Sequence, residues 1–332
     1  MAATDYIKLM RPWQWYKNLL IFLAVVFVEV PDQWPWTTLP ALFDWTNYPP
    51  LIVGFVALCL VSSAGYVIND ISDIEKDSAH PEKRKRPLPS GGASRNSALV
   101  LALALLAIGL WLSYYGIGFV GAFYGLSPYG GLFLLTVLLY ILNANLYNYK
   151  LREWAMVDVV IIAVGFVIRA VAGTFILGVP FTSWLVVGVF FFALVLAFGK
   201  RRNELQLLGE EAEVHKPVLS QYTESMLDHG MTMSATWFVL FYALYTFNNF
   251  PDPVAQPVMM TVPVAAGLIL RYVFLVQSGS PVGRKPHLAV KDLGILVGAV
   301  IFILTLIVTM FFWVPIFEFF QTIFPPPEPP LP

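Results

Sequence analysis

Long apolar stretches alternate with short polar ones along the whole chain. Nine of the apolar stretches approach or exceed the ~20 residues that a helical membrane span needs: 13–30, 51–69, 97–119, 130–148, 157–177, 183–199, 232–249, 258–276 and 292–314. Runs such as Leu99–Leu106 are apolar at every position. Transmembrane β-strands would instead alternate polar and apolar residues. The pattern predicts an all-α integral membrane protein of nine transmembrane helices. It also predicts a single membrane domain over residues 1–314 and a Pro-rich extracytoplasmic tail over 315–332.

Composition agrees and narrows the field. Hydrophobic residues make up 58% of the 332 and charged residues 12%, with a mean hydropathy of +0.70. Those values exclude a disordered chain, a nucleic-acid binder and an ordinary soluble enzyme. The net charge of −1 identifies no partner, but its distribution is informative. Every Lys and Arg except Arg169 and Arg271, which fall inside spans, lies on one side if the N-terminus is cytoplasmic. Positive charge marks the cytoplasmic side, so the count sets the orientation. The expected location is the cell (inner) membrane, multi-pass.

The opposite side carries Asp32, Asp44 and Asp252 and the aromatic anchors Trp34, Trp36, Trp45 and Tyr48. The tail Pro325–Pro332 reads as an extended, solvated polyproline segment. No small-residue cleavage site follows the first apolar run, so that run reads as a retained helix. Cys59 is the only cysteine and sits in an apolar stretch, which excludes a disulfide framework and a Cys-based zinc site within one chain. His80, His215, His229 and His287 form no His-x-x-x-His pair.

The strongest chemical signal is Asn69-Asp70-Ile71-Ser72-Asp73-Ile74-Glu75-Lys76-Asp77, where the second span ends. On a continuing helix Asp70, Asp73 and Asp77 share one stripe at i, i+3 and i+7. They spread over ~10 Å of axis, with Tyr66 one turn before Asn69. Like charges this close need a cation. Hard oxygen ligands suit Mg²⁺, which binds one or two carboxylates plus substrate phosphates. The next segment, His80-Pro-Glu-Lys83-Arg-Lys-Arg86-Pro, is basic. Carboxylates, a metal and a basic loop together make a diphosphate site. The plainer alternatives are a solvated acidic helix end and a loop whose bases only enforce topology or touch anionic lipid.

Asn-Asp-x-x-Asp-x-x-x-Asp after a membrane helix resembles the UbiA superfamily of intramembrane prenyltransferases. That resemblance implies nine helices around a cavity open to lipid, with metal-bound diphosphate at the cytoplasmic end. Further pieces are similar to its decaprenyl-phosphate phosphoribosyltransferase branch. They are Arg11-Pro-Trp-Gln-Trp-Tyr-Lys17-Asn18, the Asn69–Arg86 region, Gly165-Phe-Val-Ile-Arg169-Ala-Val-Ala-Gly173 and Gly199-Lys200-Arg201-Arg202-Asn203-Glu204-Leu205. The branch implies transfer of 5-phosphoribose from 5-phosphoribosyl diphosphate to a polyprenyl phosphate, with pyrophosphate leaving. By the same resemblance the product supplies arabinan precursors for cell-wall biosynthesis.

Two anion sites are then expected. Lys17, Tyr66, Lys83 and Arg86 are candidates for the sugar diphosphate, beside a Mg²⁺ held by Asn69, Asp73 and either Asp70 or Asp77. Lys150, Arg152 and Arg169 are candidates for the lipid phosphate. An intramembrane Arg is costly and is a site hypothesis by default; an internal hydrogen-bonding role is its alternative. Arg271 could simply snorkel. Asp158 stands without an acidic partner at i+4, which is Ile162. The aromatic-prenylating branches hold a second metal pair at this region, so Asp158 is left between a metal ligand and a helix-start acid. Lys200, Arg201 and Glu204 open the loop 200–231, readable as a partly helical lid over the site or as a solvated connector, and with Asp158 they are candidate lid or support residues. Two other functions compete: prenyl transfer from a prenyl diphosphate to an aromatic or other acceptor, and transport of a phosphorylated solute. A homo-oligomer, the trimer included, stays open.

Overall fold

The computed structural model describes residues 3–25, 44–79, 83–125, 129–179, 182–209, 217–250 and 255–324. Trp34, Trp36, His80–Glu82, Glu210–Lys216, Asp252 and the tail Pro325–Pro332 lie outside the described residues, and of Lys83 only the backbone is described. The described residues are helical and contain no strand. The chain divides into two compact units, Met1–Glu29 with Leu39–Phe190, and Val30–Thr38 with Phe191–Pro332.

Unit one begins with α1 (Ala3–Met10), followed by a 3-10 helix over Pro12–Val25. Then come α2 (Tyr48–Ser72), α3 (Ile74–Ala79), α4 (Arg95–Trp111), a π-helical turn (Leu112–Gly116), α5 (Ile117–Phe123), α6 (Gly130–Tyr149) and α7 (Val157–Leu177). The start of α8 (Ser183–Leu208) completes it. Local chemistry explains several ends. Pro49 and Pro50 stand in the first turn of α2, where a missing N–H costs nothing. Ser94 caps α4 by accepting from the Ser97 N–H. Gly178, at φ 69°, closes α7 in the left-handed conformation that a residue without Cβ adopts freely.

Apolar side chains of α2, α6, α7 and the 3-10 helix form the main core of this unit, including Leu51, Leu58, Val61, Phe133, Val137 and Ile176. A second cluster packs Leu9 against Val67, Leu88 and Ala98, which seats α1 beside the end of α2. The 3-10 helix approaches α7 closely at Gly173, where a Cβ would stand 2.0 Å from the Ile21 carbonyl oxygen. Small residues at such crossings let backbones meet, which is how helices pack in lipid.

Unit two holds the remainder of α8, α9 (Glu224–Asn249), α10 (Ala255–Val258), α11 (Thr261–Gln277), α12 (Leu293–Ile307), a π-helical turn (Val308–Phe312) and α13 (Trp313–Ile323). Thr223 caps α9 and Asp292 caps α12 through their side chains.

Six helical stretches among the described residues are long and apolar enough to cross a membrane: Trp45–Ser72, Arg95–Phe123, Gly130–Tyr149, Val157–Leu177, Gln256–Gln277 and Leu293–Ile323. They coincide with six of the nine expected spans. The other three expected spans, 13–30, 183–199 and 232–249, coincide with the 3-10 helix, α8 and α9 as far as they are described. Two boundaries differ from expectation. The last stretch stays helical through Ile323, past the expected tail boundary at 315. α8 continues through Leu208, so Lys200, Arg201 and Glu204 stand on a helix and the connecting segment begins later than expected.

Candidate active site

The acidic run straddles a helix junction. Asn69 and Asp70 lie in the last turn of α2, Asp73 at the break, and Asp77 in α3. Asp73 departs only slightly from helical backbone, with φ −99° and ψ 9°. Its N–H donates to the Asn69 carbonyl at 2.9 Å, and the Asp77 N–H to the Asp73 carbonyl at 2.8 Å. The turn period therefore survives the break, and the carboxylates keep nearly the expected spacing.

Asp70 and Asp77 are buried, at 4% and 2% exposure. Arg86 joins them: its Nη1 donates to Asp70 Oδ1 at 3.2 Å and to Asp77 Oδ2 at 2.6 Å. Arg11 Nη2 donates to the same Asp70 oxygen, and its guanidinium carbon lies 5.3 Å from the Tyr66 ring centroid. Arg11 reaches this position with φ 51°, a left-handed conformation unusual for a residue with a side chain. The following Pro12 disfavours the right-handed alternative. Arg11 has no assigned role in the sequence motif it opens; its place before a proline is the signal that marks it.

Behind this cluster a polar seam runs between the 3-10 helix and α2. Trp15 Nε1 donates to Ser63 Oγ at 3.0 Å, and Ser63 Oγ donates to the Met10 carbonyl at 2.8 Å. Asn18 Nδ2 lies 3.3 Å from both Cys59 Sγ and Ser62 Oγ. The seam ends at Arg169 of α7, which is 7% exposed. Its Nε donates to Asn18 Oδ1, Nη1 to the Gly165 carbonyl and Nη2 to the Tyr140 hydroxyl, each at 2.9 Å. Its guanidinium also lies 4.4 Å from the Tyr140 ring centroid and 5.7 Å from that of Phe166. These partners are all neutral, so the charge is buried without a carboxylate among the described residues.

The expected residues are gathered only in part. Asp70, Asp77 and Arg86 meet, with Tyr66 joined through Arg11. Asp73 is half-buried and pairs with no described residue. Lys17 is half-buried beside the Tyr16 ring, at 6.0 Å from its centroid. Lys150, Arg152 and Arg169 are not joined by a described contact. Lys150 is exposed, 5.9 Å from the Trp154 ring centroid. Arg152 lies in the short connection before α7. Arg169 lies eleven residues beyond the fully buried Asp158, about 16 Å along α7.

Among the described residues no three His, Cys, Asp or Glu side chains gather closely enough to hold a metal ion. Asn69, Asp70, Asp73 and Asp77 thus form no preassembled ligand group among the described residues, and Arg86 already bridges Asp70 and Asp77. Two carboxylates sharing one cationic donor still fit a divalent ion, since Mg²⁺ takes one or two carboxylates and completes its shell with water and phosphate oxygens.

In unit two, Arg201 is fully buried and donates to Glu204 Oε2 at 2.8 Å, with Lys200 Nζ 3.9 Å from Glu204 Oε1. Arg202 pairs with Glu224 and Asp228 at 2.9 and 3.2 Å. Asn203 donates to the Ser280 carbonyl and accepts from Arg284. The Arg202 and Asn203 contacts fasten α8 to its neighbours, while Lys200 and Arg201 pair with Glu204 on the same helix. Arg271 does not snorkel alone: it binds Asp292 with two hydrogen bonds of 3.0 and 2.8 Å. The Ile295 N–H also donates to Asp292 Oδ1 at 3.0 Å, so this carboxylate caps α12 while it holds Arg271.

Residues 34–289 match the model of the UbiA prenyltransferase family. The chain belongs to that family. It is 32% identical over 252 residues to a decaprenyl-phosphate phosphoribosyltransferase of Mycolicibacterium smegmatis, covering 74% of this chain and 71% of the relative. It is 30% identical over 295 residues to the protein of the same name from Corynebacterium glutamicum, covering 87% and 82%. The fold is similar to a UbiA homologue from Archaeoglobus fulgidus solved bound to GPP and Mg²⁺, with TM-score 0.61, 17% identity and coverage of 92% and 99%. With six apolar helices, this UbiA-family chain is an integral membrane protein.

Proposed function

We propose that this protein transfers 5-phosphoribose from 5-phosphoribosyl 1-diphosphate to a polyprenyl phosphate, such as decaprenyl phosphate, and releases pyrophosphate. The observation that carries the reading is the similarity, at about 30% identity over most of the chain, to relatives bearing that activity in their names. The lone Asp158, with Ile162 one turn on, supports it over prenyl transfer.

In this reading Asp70 and Asp77, with Asn69 and Asp73 beside them, hold Mg²⁺. The ion supplies charge neutralisation of the departing pyrophosphate. Arg11, Lys17, Tyr66, Lys83 and Arg86 bind and orient the donor's phosphate groups, the arginines through paired N–H donors. Arg169 keeps two of its five N–H groups beyond the three bonds described, and these hold the lipid phosphate, while Lys150 and Arg152, before the start of α7, draw the anionic lipid toward the site. The lipid oxygen is already an anion, so no residue need act as a general base. Its attack forms the C–O bond at the anomeric carbon as the bond to pyrophosphate breaks, with inversion there. Positioning and fixed charge account for the rate. Nine spans, a cytoplasmic N-terminus and a cytoplasm-facing site at the inner membrane complete the reading.

The second reading is prenyl transfer from a prenyl diphosphate, favoured by the GPP and Mg²⁺ bound to the Archaeoglobus homologue. Purified protein given Mg²⁺ and decaprenyl phosphate should carry radiolabel from 5-phosphoribosyl diphosphate into the organic phase, and Asp73→Asn should reduce this about 100-fold or more. Full turnover in Asp73→Asn removes that residue from the metal site. Incorporation from prenyl diphosphates alone rejects the main reading.

A further inference from the structure

Among the described residues, Asp70 and Asp77 are already paired with arginines of the chain. Asp70 accepts from both Arg11 and Arg86, and Arg86 spans to Asp77. Counted over the described residues, these two carboxylates and two guanidiniums cancel in charge, and both carboxylates are buried. The quartet joins three separate places in the chain: the approach to the 3-10 helix, the α2–α3 junction and the turn after Lys83–Lys85.

A divalent cation held by Asp70 and Asp77 competes with the guanidinium that bridges them, and the two cations repel. The arginines so released have forked donors that match phosphate oxygens. A diphosphate arriving without the cation meets the converse obstacle, because both guanidiniums are occupied by carboxylates. Each ligand removes what opposes the other.

We propose that Arg11 and Arg86 are positioning residues that couple the two ligands, so that a divalent cation and a diphosphate bind this site together and neither binds it well alone. The inference rests on the metal assignment made above, and the experiment separates the two.

The measurement is retention of radioactive Mn²⁺ by the full-length protein in detergent, at fixed free Mn²⁺, with and without pyrophosphate. The wild type should bind Mn²⁺ about tenfold or more tightly when pyrophosphate is present, within the usual range of coupling between sites. Arg86→Gln should bind Mn²⁺ alone more tightly than the wild type, and pyrophosphate should add less. Arg11→Gln tests the same coupling from the other side if Arg86→Gln does not fold. A merely structural role for either arginine gives weaker or unchanged Mn²⁺ binding on substitution. Equal wild-type affinity with and without pyrophosphate, lost in Asp70→Asn, overturns the coupling and leaves the metal assignment standing. No saturable Mn²⁺ binding in either condition overturns both.

Discussion

Arg169 carries a positive charge into the interior of unit one, where its partners among the described residues are all neutral. Burying an uncompensated charge is expensive, and three hydrogen bonds and two aromatic faces offset the cost only in part. Such a charge suits an anionic ligand. Arg169→Ala strips a donor from Asn18 Oδ1 and from the Tyr140 hydroxyl, at about 1–3 kcal/mol for a buried group left unpaired. Its melting temperature in detergent should fall. Its KM for polyprenyl phosphate should rise more than that for 5-phosphoribosyl diphosphate. Unchanged kinetics in both substrates rejects the lipid-phosphate role, and an unchanged melting temperature rejects the network. The sequence exposed Arg169, Asp70 and Asp77 because charges stand out in apolar surroundings. It hid their partners. Asn18 lies 151 positions from Arg169 and Arg11 lies 59 from Asp70, and such pairs depend on how helices register against one another.

Helices 3-10 and α7 depend on a crossing at Gly173. An added Cβ would meet main chain at Ile21 and the Ala24 side chain, and main chain cannot rotate away. Gly173→Ala should therefore push the 3-10 helix off α7, at about 1–3 kcal/mol for overpacking. Because Asn18 sits on the same 3-10 helix, the Arg169 bond should loosen with it. Thermal unfolding of the variant in detergent checks this; wild-type stability would contradict the close approach. Helix existence was legible from hydropathy in α2, α4, α6, α7, α11 and α12. Helix ends were less so. Lys200–Leu208 looked like the start of a loop because it is charged, but Arg201 pairs with Glu204 one turn on, so the charge is satisfied within α8. The acidic run was expected to share one stripe if the helix continued; no Gly or Pro marks the break at Asp73, yet the backbone hydrogen bonds keep the turn period across it.

Across the whole molecule, the family and the all-helical membrane class were readable from apolar runs and one acidic motif. The one-sided distribution of Lys and Arg remains the basis for the proposed orientation. The loosest reading was the gathering of bases into two anion sites, since basic residues in loops report topology and chemistry alike. The account stands on one reaction, in which an anionic lipid displaces pyrophosphate from a sugar. The measurement that tests it most directly is the mass spectrum of the lipid product, together with the pyrophosphate released, when purified protein is incubated with Mg²⁺, decaprenyl phosphate and 5-phosphoribosyl diphosphate. The expected result is one product, decaprenyl phosphate extended by a single phosphoribosyl group, with one pyrophosphate per product and none of either after chelation of Mg²⁺. An unextended lipid under these conditions, with pyrophosphate released only from a prenyl diphosphate and an acceptor, would contradict it.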